Sequence, residues 1–264
     1  MPQNPVIRKF GEASGGGRGL PTPSAGELQG MYDVPAYTGP RTGQRYMTLD
    51  AVVQRTGAML LVLLAAGTVS WQLVDTKAAL PVLLIGAMGG LALGLYMSFT
   101  LKANAVSALI YAAFEGTFLG AISHIFDSRY PGIVVQAVAG TVMVAVGMLF
   151  VYRIGAIRVT PKFTRVIVGA TIGAFGLMVV NLVAYLFHPG GLGLRAGGGL
   201  AIAFSLVCIV IAAMNLVLDF DMVERGIRNG ADEKFAWFAA FGLTVTLVWL
   251  YLEILRLLGY MRNN

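Results

Sequence analysis

Seven long apolar runs separated by short polar connections fill most of the chain, near residues 52–73, 80–100, 104–126, 132–152, 166–187, 198–219 and 235–258. Each is about 20 residues, the length a helix needs to cross a hydrocarbon core of about 30 Å. Strand-like alternation over segments of about ten residues, the mark of a membrane barrel, is absent. The backbone groups must therefore be satisfied inside helices. The pattern predicts an all-α integral membrane fold of seven transmembrane helices, with Thr48 or Asp50 placed to cap the first.

The first 47 residues break this pattern. "GEASGGGRGLPTPSAGE" is rich in Gly, Pro and Ser and too poor in apolar residues to build a core. The predicted organisation is a disordered cytoplasmic tail over 1–47 and a seven-helix domain over 48–264. The tail lacks the basic region, short apolar core and cleavage site of a signal peptide. The first membrane helix is therefore expected to act as an uncleaved targeting signal.

Composition supports the membrane reading: 57% of the residues are hydrophobic and 12% charged, against roughly 25% charged in soluble domains. A net charge of +6 could suggest nucleic acid, but in a membrane protein the placement of the basic residues says more than their sum. The tail and Arg55, then Lys102, then Arg153, Arg158, Lys162 and Arg165, and finally Arg225, Arg228 and Lys234 fall on one side. Lys77, Arg129, Arg195, Arg256 and Arg262 fall on the other. The bias predicts a cytoplasmic N-terminus, an external C-terminus and no nucleic-acid partner. The single Cys208 excludes an internal disulfide and argues against a thiolate metal site.

Helices in lipid associate through small residues. Gly86, Gly90 and Gly94 share one face of the second helix and Gly169 and Gly173 one face of the fifth, so both faces are expected to touch a neighbour. The seventh helix is apolar on every side, which suits a central or a lipid-facing position. No internal repeat of the inverted-transporter kind is visible.

Ionisable residues within the runs need a reason, because an aspartate at a helix centre costs roughly 2.5–3.5 kcal/mol on insertion scales. Glu115 is the deepest, about 16 Å along a helix from Asn104. Asn104, Ser107, Tyr111 and Glu115 recur at spacings of three and four and form a polar stripe. That stripe is either an ion or proton path ending at a carboxylate, or a protonated acid hydrogen-bonded to a neighbouring helix and serving packing. In "LVLDFDMVERG", Asp219 and Asp221 lie about 200° apart around a helix, so only one can easily face the bundle. Asp219 shares its face with Asn215, and Asp221 shares its face with Arg225. These acids are either an ion site or a solvated helix end carrying the favourable pairs Asp221–Arg225 and Glu224–Arg228. Glu253, one turn before Arg256, suggests an interfacial ion pair. His124, Asp127 and His188 fall near helix ends and receive no role.

Enzyme motifs are absent: there is no H-E-x-x-H, G-x-S-x-G or P-loop, and the five lysines lie outside the apolar runs. No catalytic activity and no resident cofactor are expected.

Three segments, "FEGTFLGAIS" at 114–123, "DFDMVERGI" at 219–227 and "LYLEILRLLG" at 250–259, resemble in order and helix position those of the Bax inhibitor-1, or transmembrane Bax inhibitor motif, family in its bacterial branch. The resemblance covers residues 48–260. It implies six helices wrapping the seventh and a pH-sensitive calcium leak of the bacterial cell membrane controlled by paired carboxylates. One family acid matches Asp221, with Phe220 in the aromatic place. The other corresponds to Glu253 by the string "LYLE", or to a position near Thr246 when the chain ends are matched without gaps. The family's basic residues ending the second helix are represented here by Lys102.

The chain is thus expected to be a non-enzymatic cation leak protein, with Asp221, Asp219 and Glu115 as ion-binding candidates and Asn104, Tyr111, Glu253 and Arg225 as path or pH-sensing groups. Calcium or protons would be its cargo and the lipid bilayer its surroundings. The rival expectation is a non-conducting interaction protein that modulates a membrane protease or other membrane partner. Distance along the seventh helix places Glu253 about 28 Å from its start, too far for a direct pair with Asp221. Asp221 is expected near Thr246 or the Asn104–Glu115 stripe with Asp219 as the nearest second acid, and Glu253 with Arg256 or other groups on its own side.

Overall fold

The structure is a computed structural model that describes residues 45–74 and 79–263. The tail expected over 1–47 falls, up to residue 44, outside the described residues. Among the described residues seven helices are long and apolar enough to span a membrane. They are α1 Leu49–Leu73, α2 Ala79–Thr100, α3 Ala105–Arg129, α4 Ile133–Arg153, α5 Pro161–Phe187, α6 Gly198–Arg228 and α7 Phe235–Asn263. We call the face at which α1 begins proximal and the face at which it ends distal.

Local chemistry sets the helix starts. The Thr48 hydroxyl accepts from the Ala51 amide at 3.2 Å and caps α1. Asn104 and Ser107 form a capping box on α3. Thr160 accepts from the Phe163 amide and Pro161 takes the first helical position of α5, so this helix starts five residues before its apolar run. At the other extreme α6 continues to Arg228. Asp219 and Asp221 therefore lie inside the helix rather than at its end.

The residues just before Thr48 also join the bundle. The Met47 amide donates to the Ala231 carbonyl at 2.8 Å, the Glu233 amide donates to the Arg45 carbonyl at 2.9 Å, and Tyr46 and Asp232 form an antiparallel bridge. Met47 buries its side chain beside Val52, Val223, Ala236 and Ala239. This clasps the lead into α1 to the α6–α7 turn on the proximal face.

The seventh helix is the centre of the bundle. It packs against α1, α3, α4 and α6, while α2 is carried by α3 and α5 by α6. Ala236, Ala239, Ala240, Leu250 and Leu255 are fully buried along it. Its all-round apolarity is explained by neighbours on most sides rather than by lipid.

Glycines bring α3 close to two helices. On α2, a Cβ added to Gly86 would lie 2.7 Å from the Phe118 amide nitrogen, and one added to Gly90 would lie 2.9 Å from a Glu115 carboxylate oxygen. The expected contact of this face is therefore made. The tightest approach is between α1 and α3, where Gly116 and Gly120 face the backbone of Leu63 and Gly67. Gly116→Ala is expected to destabilise the protein by about 1–3 kcal/mol, the range for overpacking, read as a lower apparent Tm in detergent. Gly169 and Gly173 depart from expectation: nothing lies within 4 Å of a Cβ added to either. The α5 helix meets α6 through another side, including Thr171, so Gly169→Ala is expected to leave the Tm unchanged.

Candidate functional site in the helix bundle

The proximal half of the α6–α7 seam holds a carboxylate aimed at the central helix. Thr246, eleven residues and about 16 Å from the start of α7, donates its hydroxyl to Asp219 Oδ2 at 2.6 Å. The same hydroxyl also bonds back to the Gly242 carbonyl at 3.2 Å. Asp219 Oδ1 faces Gly242, where an added Cβ would lie 3.6 Å away. The missing side chain of Gly242 leaves room for this carboxylate between two packed helices. Asn215, one turn along α6, turns to α5 and donates to Thr171 Oγ1 at 2.8 Å and to the Ile211 carbonyl. Farther along the same side of α6, Ala212, Cys208 and Ser205 are fully buried, and the Ser205 hydroxyl has no hydrogen-bond partner among the described residues.

Asp221 faces away from this seam. It forms an ion pair with Arg225, whose side chain is 51% exposed. Glu224 beside it accepts from the Tyr152 hydroxyl and pairs with Arg228 at 3.5 Å. Phe220 packs its ring against Tyr152 at 5.9 Å. The expectation that Asp221 would approach Thr246 is therefore corrected: the aspartate two residues earlier does so. The reason is helical phase, because residues two apart point to opposite sides and only the Asp219 side meets α7. A second proximal pair, Arg55 to Glu233 at 2.8 Å, joins α1 to the α6–α7 turn, with the Arg55 guanidinium over the Trp237 ring.

The polar stripe of α3 divides into two parts. Asn104 and Ser107 are occupied with capping the helix, the Ser107 amide donating to Asn104 Oδ1 at 2.9 Å. Tyr111 is buried, edge-on to Phe241 of α7 with ring centroids 4.9 Å apart, and its hydroxyl interacts with Glu115 one turn on. Glu115 lies against Gly90, in the seam between α2 and α3 rather than at α7.

The distal end of α7 carries the most buried acid. Glu253 is 0% exposed and accepts two hydrogen bonds from Arg195, at 2.9 and 2.7 Å, and one from Arg256 at 3.2 Å. Arg195 arrives from the α5–α6 connection, which folds back because Asn181 Oδ1 accepts from the Leu192 amide at 3.0 Å. Gly191 makes that fold possible: its φ is +58°, and a Cβ there would strike the Asn181 carbonyl oxygen. Burial works to lower the affinity of Arg195 for its proton, but the hydrogen bonds and charge of Glu253 outweigh it and raise it above its ordinary value. Glu253 thus joins Arg256, as its spacing suggested, and Arg195 as well.

No three His, Cys, Asp or Glu side chains among the described residues converge on a common point. Asp219, Asp221 and Glu115 therefore occupy separate places: a seam with α7, a proximal rim and a seam with α2. Sequence reading missed the Arg195–Glu253 bridge, the Thr246–Asp219 bond and the Gly116–Gly120 contact. The last had a legible signal, two glycines four apart in "EGTFLG"; the first had only an arginine in a glycine-rich connection.

A seven-helix bundle of this length and apolarity, with carboxylates held between its helices, defines a polytopic helical integral membrane protein. The family described as Bax inhibitor 1 like matches residues 5–263, and the chain belongs to that family. The match reaches well into the N-terminal segment that the motif resemblance left out. A comparison with curated proteins finds no match.

Proposed function

We propose that the protein is a pH-sensitive cation leak channel with calcium as its cargo, and that Asp219 is the acid on the path. One observation carries the reading: a half-buried carboxylate within the bundle is aimed at the central helix, its Oδ2 held by the neutral Thr246 hydroxyl. An acid in a membrane helix is expensive and marks an ion route by default. Gap-free matching of the family's second acid to the neighbourhood of Thr246 supports the same place. Calcium takes six to eight oxygen ligands, so an ion beside one carboxylate, one hydroxyl and the Gly242 carbonyl keeps much of its water, which suits transit. In this reading Arg195, locked on Glu253, is the distal closure of the path. The basic residues on the proximal side, Arg55, Lys102, Arg153, Arg158, Arg225 and Arg228 among them, favour a cytoplasmic proximal face in a bacterial inner membrane. The chain performs no catalysis in this reading.

The test is calcium efflux from vesicles containing only the purified protein. Efflux above that of empty vesicles is expected. Silence there, with a membrane protease or other membrane protein co-purifying, would replace the leak by the modulator reading. Glu115→Gln is expected to reduce efflux severalfold with an unchanged Tm, because the amide keeps a hydrogen bond to Tyr111 and loses the charge. Normal efflux per folded protein with a lowered Tm would return Glu115 to a packing role.

A further inference from the structure

Helices α1 and α4 both flank the central helix but leave a cleft between them. It encloses about 680 Å³ and is lined from Leu60 to Gln72 on α1 and from Val134 to Val146 on α4. Its floor is Gly116 and Gly120 of α3 with Leu247, Val248 and Tyr251 of α7. We propose that this cleft is a binding site for one acyl chain of a bilayer phospholipid from the distal leaflet.

Three observations carry the assignment. The first is depth: Leu60 to Gln72 spans about 18 Å of helix, close to the roughly 15 Å thickness of one hydrocarbon leaflet. The second is polarity. The inner end is walled by Leu60, Leu64, Val142 and Val146, whereas the distal end carries Trp71, Gln72 and the Ser123 and Tyr251 hydroxyls, which bond each other at 2.6 Å. Tryptophan at such an end belongs at headgroup level, and Trp71 stacks edge-on to His124 there, with centroids 5.0 Å apart. An apolar channel with one polar mouth fits a chain whose head stays at the interface. The third is size. The volume lies within the 300–1,000 Å³ of ordinary ligand sites.

The assignment is independent of whether the protein conducts. It is tested by native mass spectrometry of the full chain, stripped of lipid in mild detergent and titrated with palmitoyl-oleoyl phosphatidylglycerol or with free palmitate. Val138→Trp and Val142→Trp place bulk in the cleft from α4; Val180→Trp on the exposed side of α5 is the control. Wild type and the α5 variant are expected to take up one phosphatidylglycerol saturably and to gain thermal stability from it. The cleft variants should lose at least tenfold in apparent affinity and lose that gain. If Val138→Trp does not fold, Val142→Trp decides. Equal uptake by the cleft variants and wild type would overturn the proposal. So would uptake of palmitate without phosphatidylglycerol, which would make the ligand a free fatty acid, or a co-purifying polypeptide displaced by Val142→Trp, which would make the cleft a protein interface.

Discussion

Glu253→Ala is expected to be the most destabilising single change in the distal half of the bundle. Glu253 has no exposed surface and is the acceptor for both Arg195 and Arg256. Their side chains are themselves only 20% and 27% exposed. Removing the carboxylate leaves two confined cations facing each other with no counter-charge. Breaking a buried pair from one side costs about 3–5 kcal/mol, and the apparent Tm should fall by about 10 °C. Much of that cost belongs to the stranded arginine rather than to the bridge, so Arg195→Met in the same chain is expected to restore part of the loss. A Tm within a degree or two of wild type for Glu253→Ala would show that the bridge does not hold the α5–α6 connection to α7.

Gly242→Leu is expected to block the proximal seam. The glycine faces Asp219 Oδ1 and the Met222 methyl, each 3.6 Å from where its Cβ would be, so an alanine fits and a leucine fills the space beside the carboxylate. Calcium efflux from vesicles should drop at least tenfold for the leucine variant and stay within twofold for Gly242→Ala, with both proteins folded. Full efflux through Gly242→Leu would move the path away from this seam.

The parts of the fold that depend on local chemistry were legible in the residues. Seven apolar runs gave seven helices, Thr48 capped the first, and the glycines of α2 marked its contact with α3. What depends on a partner was not. The glycines of α5 carry the same signature as those of α2, yet α5 meets α6 through Thr171, because a small-residue face shows what could approach and not what does. The α6 acids illustrate the same limit more finely. Periodicity established that only one of Asp219 and Asp221 could face the bundle, but which one depends on the rotation of α6 about its axis. That rotation is fixed by packing against α7 through Ala212, Leu216 and Asp219, and by Asn215 bonding Thr171. Motif resemblance pointed at Asp221, whereas the aspartate that contacts α7 is Asp219. For Glu253, counting residues along α7 correctly separated it from the proximal acids, whereas its arginine partner 58 residues earlier is a long-range contact that no local pattern encodes.

The account stands most directly on which aspartate governs the leak. The deciding measurement is the initial rate of calcium efflux, from mildly acid to mildly alkaline buffer, for wild type, Asp219→Asn and Asp221→Asn in matched vesicles. Asparagine keeps the shape of the side chain and removes its titration. The wild-type rate should change with pH, and Asp221→Asn should follow it within twofold, since its ion pair with the exposed Arg225 lies at the rim. Asp219→Asn should give a rate that no longer responds to pH. The opposite assignment, a flat profile for Asp221→Asn with a wild-type profile for Asp219→Asn, would contradict the account.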